Sequence, residues 1–149
     1  MIEYAAEVHD PLFNRFSSSD VKILLPLFEQ VILDAGDVLF SFDQPGTKLY
    51  FVVHGQLAVQ KRTGFGDRTQ VVALLDPGAP VGERALMRDN VHCSRLVAVK
   101  KTLLLSLSRE RFAQFKKEHS LLAMNLLEWL LNSSSLRLSK SSDRLSHVL

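Results

Sequence analysis

Between residues 28 and 108 the apolar positions come in short runs separated by turn residues. The runs are EQVIL (29–33), DVLF (37–40), KLYFVVH (48–54), QLAVQKR (56–62), TQVVALL (69–75), SRLVAV (94–99) and TLLLSLS (102–108). Between them stand Ala35-Gly36-Asp37, Gln44-Pro45-Gly46, Gly55, Gly64-Phe65-Gly66 and Asp76-Pro77-Gly78. Short β-branched and leucine-rich runs with turns at this spacing predict an all-β sandwich or barrel rather than alternating helices and parallel strands. His54-Gly55-Gln56 is too short for anything but a tight reversal, and glycine supplies the backbone freedom that it needs.

The period changes on either side of this block. Residues 12 to 26 read as a helix, with Ser18 or Ser19 as the N-cap and Pro26 at its end. The segment SRERFAQFKKEH begins a second helical region, with Ser108 as N-cap, Glu110 in the first turn, and Lys116, Lys117 and His119 at the end, as the helix dipole favours. After Ser120 the positions Met124, Leu127, Leu131, Ser134, Leu138, Ser141, Leu145 and Val148 alternate at spacings of 3 and 4, and six of these eight are apolar. That is the seam of a coiled coil, so self-association through this helix is expected. A second apolar set, Leu122, Leu126, Trp129 and Leu136, lies on the neighbouring face, with Trp129 read as a core or cap residue. The polar stretch from Asn132 to Ser135 is the one candidate for a break in the helix.

Composition narrows the class without naming a function. A chain of 149 residues with 46% hydrophobic and 23% charged residues builds one globular domain with a real core. A formal charge of +2 is too small to indicate nucleic acid as the partner. The single cysteine, Cys93, excludes an internal disulfide and fits a reducing compartment. It is expected as a small buried residue of a strand. The first residues lack a basic stretch followed by an apolar one, and no apolar run approaches the ~20 residues of a membrane span, so a soluble cytoplasmic domain is expected. The five histidines show no HxH or ExxH spacing, and no metal site is expected. Neither a Ser-His-Asp set nor a P-loop appears, so the chain is not expected to be an enzyme.

The segment with chemistry is Gly78-Ala79-Pro80-Val81-Gly82-Glu83-Arg84-Ala85-Leu86-Met87. A glycine ahead of residues able to start a short helix exposes several backbone N–H groups at one point, which attracts a phosphate. Glu83 on the same turn suits a ribose hydroxyl, and a nearby cation is needed to neutralise the phosphate. Arg84 and Arg88 lie close by and read more readily as solvated surface cations.

These features together resemble the cyclic-nucleotide-binding domain family, which includes catabolite-activator-type regulators, protein kinase A regulatory subunits and nucleotide-gated channels. The resemblance covers about residues 12 to 138. It rests on Gly36-Asp37-Val38-Leu39-Phe40, Pro45-Gly46, Leu49-Tyr50-Phe51-Val52, Gly55, Pro77-Gly78, Gly82-Glu83 and Ala85-Leu86. Further on it takes in Ala98, Thr102, Leu104-Leu105, Leu107, Ser108-Arg109-Glu110 and Phe112. The fold it implies is mainly β: a double-stranded β-helix, or jelly-roll-like barrel, at about 28–108, with an N-terminal helix and C-terminal helices at about 109–145. These form one domain over 1–149.

The function it implies is a regulatory sensor that binds cAMP or cGMP, with no other cofactor, and couples binding to movement of the C-terminal helices. The resemblance also gives Trp129 an alternative role, as a lid over a bound base. A homodimer through the last helix is expected, and so is the absence of a membrane segment and of a DNA-binding domain in this chain. Carried over residue by residue, Gly82 and Glu83 match the cassette glycine and the ribose-binding glutamate, and Ala85 and Leu86 match positions whose backbone faces the phosphate. The family's arginine, in the pattern R-[ST/A]-A-[TS]-V, falls on His92, followed by Cys93, Ser94 and Arg95. Asp43 stands where the family has glycine. Three readings stay open at this point. A nucleotide binds with His92, Arg84, Arg88 or a shifted Arg95 as cation; or the site is empty and the domain serves dimerisation or docking; or a different small anion binds.

Overall fold

The computed structural model describes residues 14–64, 66–87 and 91–148. Helix α1 (Ser18–Leu24) leads into a 3-10 turn at Leu25–Leu27. The strands follow as β1 (Glu29–Leu33), β2 (Val38–Phe40), β3 (Lys48–His54), β4 (Leu57–Arg62), β5 (Thr69–Leu75), β6 (Pro80–Val81), β7 (Arg95–Ala98) and β8 (Thr102–Ser108). A 3-10 turn at Glu83–Leu86 lies between β6 and β7, and α2 (Arg109–Glu118) and α3 (Ser120–Val148) close the chain. All seven predicted strands are present. The eighth, β6, was not predicted: it has two residues, one of them proline, and so carries no alternation to read.

The strands form two antiparallel four-stranded sheets, ordered β1-β8-β3-β6 and β2-β7-β4-β5. They stay two sheets rather than closing into a barrel, and the fold is mainly β with flanking helices, as expected. The core between them takes Leu33, Phe40, Val52, Leu57, Leu75, Val81, Leu96, Ala98 and Leu104, so every strand contributes an inward side chain. Burying each of the larger ones is worth about 1.5–3 kcal/mol, which fixes the register of each strand because a one-residue slip would turn its apolar set outward.

Central strand β8 is buried on both faces, which explains its near-continuous leucine sequence. Its two polar residues are satisfied: Thr102 Oγ1 donates to Lys100 O at 2.8 Å and accepts from Gln56 N at 3.2 Å, and Ser106 Oγ donates to Glu29 O at 3.4 Å. The reversal at Gly55 packs against the start of the same strand. Gly55 has φ +96°, and a Cβ there would meet Thr102 Oγ1 and come within 2.6 Å of Lys101 O, so only glycine fits.

The helix ends follow capping chemistry. The cap of α1 is Ser17, one residue before the expected Ser18 or Ser19, and its side chain accepts from Asp20 N. The hydroxyl of Ser108 accepts from Arg111 N at 3.2 Å, as expected for an N-cap. Pro26 sits inside the 3-10 turn rather than at a helix end, and residues 12 and 13 of the predicted first helix lie outside the described residues.

The chain divides into two compact units, the first ending at Phe112 and the second starting at Ala113, within α2. In the second unit, α3 runs for 29 residues, ~44 Å at 1.5 Å per residue, without a break at Asn132–Ser135. Serine costs a helix only a few tenths of a kcal/mol, and that stretch contains neither glycine nor proline to end it. Leu122, Ala123, Leu126, Trp129 and Leu130 are buried, whereas Leu136 is exposed. The apolar seam positions Met124, Leu127, Leu131, Leu138, Leu145 and Val148 are all exposed. Among the described residues no helix is long and apolar enough to cross a membrane.

Candidate functional site

The site grows out of the end of β6. Backbone bonds from Val52 N to Ala79 O (3.0 Å) and from Gly78 N to Val52 O (2.8 Å) stitch the segment before β6 to β3. The pairs Tyr50–Val81 and Phe51–Pro80 extend that contact. Gly82 then takes the left-handed conformation, φ 71° and ψ 28°, and turns the chain into Glu83–Leu86. A Cβ on Gly82 would sit 3.0 Å from Lys48 O and 3.7 Å from the Phe40 ring, so glycine is required twice over, for its φ and for its space.

Within the turn, Ala85 N donates to Gly82 O at 2.9 Å and Met87 N to Arg84 O at 3.0 Å. Ala85 is buried, Gly82, Glu83 and Leu86 are half-buried, and Arg84 is exposed. Arg109, at the start of α2, pins this turn. Its Nε donates to Ala85 O at 2.6 Å and its Nη2 to Gly46 O at 2.7 Å, tying the turn to the loop between β2 and β3. Charge-assisted bonds of this length are among the stronger ones a side chain makes.

The other wall is the approach to β7. His92 is clamped through its backbone, its N–H donating to Gln44 O at 2.9 Å and its carbonyl accepting from Asp43 N at 2.8 Å. Its ring stacks on Phe40 with centroids 3.5 Å apart and planes 7° from parallel. Burial pulls its pKa below the ordinary value of 6.5, so the imidazole is neutral at pH 7. Phe40 thus packs on His92 and also lies beside Gly82.

Cys93 and Ser94 form a bend ahead of β7, and Cys93 is an exposed free thiol rather than the expected buried strand residue. Its backbone leaves the ladder before β7 begins, so the sheet does not cover it. Lys61 Nζ lies 3.3 Å from Cys93 Sγ and 3.2 Å from Cys93 O, and Arg84 Nη1 lies 3.7 Å from the same sulfur. Burial would raise the thiol's pKa, but the Lys61 hydrogen bond, the charges of Lys61 and Arg84 and a bond from Ser94 bring it below its usual value.

The structure therefore brings Gly82, Glu83, Arg84, Ala85, Leu86, His92, Cys93 and Ser94 to one end of the sandwich. Arg95 begins β7 opposite Gln60 of β4. Cross-strand partners share a face, and Leu57 and Val59 of β4 face the core, so Gln60 and Arg95 face outward. Arg88 lies outside the described residues.

Sequence reasoning missed Lys61 and Arg109 as site residues. A signal for Lys61 existed: in LAVQKR it continues the inward row Leu57–Val59. Arg109 stood out only as part of Ser108-Arg109-Glu110 in the family resemblance, and nothing local pointed to its partners, backbone carbonyls 24 and 63 residues away. Asp43 has φ 65°, the conformation for which the family glycine is suited, and forms a 2.8 Å ion pair with Arg62, whose guanidinium also lies 4.4 Å over the Phe42 ring.

Residues 30–119 match the family model described as cyclic nucleotide-binding domain. The chain is 32% identical over 116 residues to the cyclic AMP receptor protein of Thermus thermophilus, covering 78% of this chain and 53% of that protein. It is 29% identical over 106 residues to the cAMP-dependent protein kinase regulatory subunit of Dictyostelium discoideum, covering 70% of this chain and 31% of that protein. It thus spans about half the length of the first relative and under a third of the second. The crystal structure of the Thermus thermophilus catabolite activator protein superposes with a TM-score of 0.73 at 29% identity, covering 93% of this chain and 62% of that one. A cyclic nucleotide-binding domain from Methylobacillus flagellatus shares the fold with a TM-score of 0.88 at 24% identity, over 98% of this chain and 84% of that one.

Proposed function

The chain belongs to the cyclic nucleotide-binding domain family, and from that premise we propose that it is a ligand-sensing module: cAMP or cGMP binds at Gly82–Leu86, and binding is passed to the C-terminal helices. The observation that carries this reading is the turn at Gly82. Its left-handed glycine turns the chain into Glu83–Leu86, and two cations, Lys61 and Arg84 of that turn, meet at the Cys93 sulfur. A carboxylate there accepts hydrogen bonds from ribose hydroxyls, and the cations face the phosphate. Arg109 joins the turn to the first residues of α2, which gives a displacement of the turn a direct path to that helix. This is binding chemistry, and nothing in the arrangement calls for a reaction.

Calorimetric titration with cAMP and cGMP tests the reading. Micromolar binding that Glu83→Ala abolishes supports it; no heat at millimolar nucleotide overturns it and leaves a docking module. The same proposal includes a homodimer through α3. Its support is the heptad seam, six of whose positions are apolar and exposed on the single chain. Sedimentation of Leu131→Glu is expected to give a monomer where the unaltered chain gives a dimer, and a persistent dimer contradicts the seam.

A further inference from the structure

We infer that Lys61 and Arg84 together form the anion subsite of this pocket, taking a phosphate monoanion at the place where the Cys93 sulfur now sits. The inference rests on the reading above and says how a site with histidine at the arginine position holds a charged ligand.

The other candidate cations among the described residues are accounted for elsewhere. His92 is stacked on Phe40 and held between Gln44 and Asp43 through its backbone. Arg95 faces outward with Gln60. Arg109 spends its donors on Ala85 O and Gly46 O, and Arg62 is paired with Asp43. Lys61 and Arg84 differ from all of these. They come from different elements, Lys61 from β4 and Arg84 from the turn after β6, and they converge on one atom at 3.3 and 3.7 Å.

Two like charges held this close repel each other, and an anion between them relieves that repulsion. The thiol between them feels both charges: burial raises its pKa, but the Lys61 bond and the Lys61 and Arg84 charges bring it below its usual value. A phosphodiester, with one full charge shared by two oxygens, takes charge-assisted hydrogen bonds from both groups and displaces the weaker sulfur acceptor. Lys61 reaches this point because it extends the inward-facing row of Leu57 and Val59 to the mouth of the sandwich, where the core gives way to solvent. The positive charge of the site thus crosses from the strand that follows the turn to the neighbouring strand of the same sheet.

The test is a cAMP titration of the full chain as Lys61→Ala, Lys61→Arg and Arg95→Ala, each checked for an unchanged near-ultraviolet circular dichroism spectrum. Lys61→Ala is expected to weaken binding tenfold or more and to flatten its salt dependence. Lys61→Arg, which keeps the charge, should stay within threefold of the unaltered chain, and so should Arg95→Ala, which removes an equal charge from the outward face. Lys61→Ala binding within threefold of the unaltered chain overturns the inference.

If the unaltered chain binds neither cAMP nor cGMP, the sensor reading fails, and the subsite is judged on its own by the rate of iodoacetamide alkylation of Cys93. Protection by millimolar inorganic phosphate that Lys61→Ala abolishes upholds the subsite. Absence of protection in the unaltered chain overturns it.

Discussion

The turn at Glu83–Leu86 and the approach to β7 at His92–Ser94 lie at the same end of the sandwich, yet they are specified in different ways. The turn is defined by backbone: a left-handed glycine, a stitched entry from β3, and carbonyls held by Arg109. The approach to β7 is defined by where charge is needed, and there the expected cation is absent, with a neutral, stacked histidine in its place. A backbone conformation cannot be supplied from elsewhere in the chain. A charge can, because any strand whose inward row ends at the same mouth reaches the same point, as Lys61 does.

Four perturbations set the two halves against each other. The largest effect is expected at Arg109. Arg109→Met removes the donors to Ala85 O and Gly46 O and leaves two carbonyls of the backbone half without them, costing about 2–4 kcal/mol in chemical denaturation. A change under about 0.5 kcal/mol, the range of ordinary surface substitutions, would show that the turn holds itself.

Next comes Gly82→Ala, which combines a left-handed alanine with a Cβ 3.0 Å from Lys48 O. About 2 kcal/mol is expected, from backbone strain alone plus a forced shift of the neighbour. Equal stability to the unaltered chain would remove the distinction between the two halves.

Asp43→Gly acts on the loop that clamps His92, and its two consequences oppose each other. Relief of the positive φ at Asp43 contributes about 1 kcal/mol. Loss of the exposed pair with Arg62 takes back about 0.2–1 kcal/mol. The net expectation is neutral to slightly stabilising by thermal melting, and a large destabilisation would make the ion pair the main support of that loop.

The smallest effect is a pH dependence. Because burial lowers the His92 pKa, the unfolded chain binds the proton more readily than the folded one. Stability from this residue is therefore complete above the unfolded value near 6.5 and is lost as pH falls through it toward the lower folded value. His92→Phe keeps an aromatic stack on Phe40 and should flatten the decline between pH 7 and pH 5. An unaltered slope would mean that the ring is protonated in the folded chain.

The same contrast explains what could be read from the sequence. The seven strands of three to seven residues were legible because their apolar runs and their glycine and proline borders are local signals. The short helical turn after Gly82 was legible from a glycine ahead of helix-forming residues, but the glycine's left-handed conformation was not. Two-residue β6 carries no period, so it could not be read. Ser17 rather than Ser18 is the first cap because three successive serines offer the same hydroxyl, and only the backbone decides which one meets Asp20 N. The unbroken α3 shows that a run of serines weakens an apolar seam without ending a helix. Cys93 was misread because its neighbours look like a strand, while the ladder starts only at Arg95. The inward row Leu57–Val59–Lys61 was legible as alternation, but its meeting with a sulfur 32 residues away was not, and the pairings of Arg109 with carbonyls up to 63 residues away leave no trace in local pattern.

A crystal structure of the chain grown with cAMP tests the central claim most directly. The account predicts the ribose hydroxyls on the Glu83 carboxylate, and a phosphate oxygen at hydrogen-bond distance, about 2.7–3.2 Å, from both Lys61 Nζ and the Arg84 guanidinium, with the Cys93 sulfur displaced from between them. A nucleotide whose phosphate rests on His92 or Arg95, with Lys61 turned away, would contradict it.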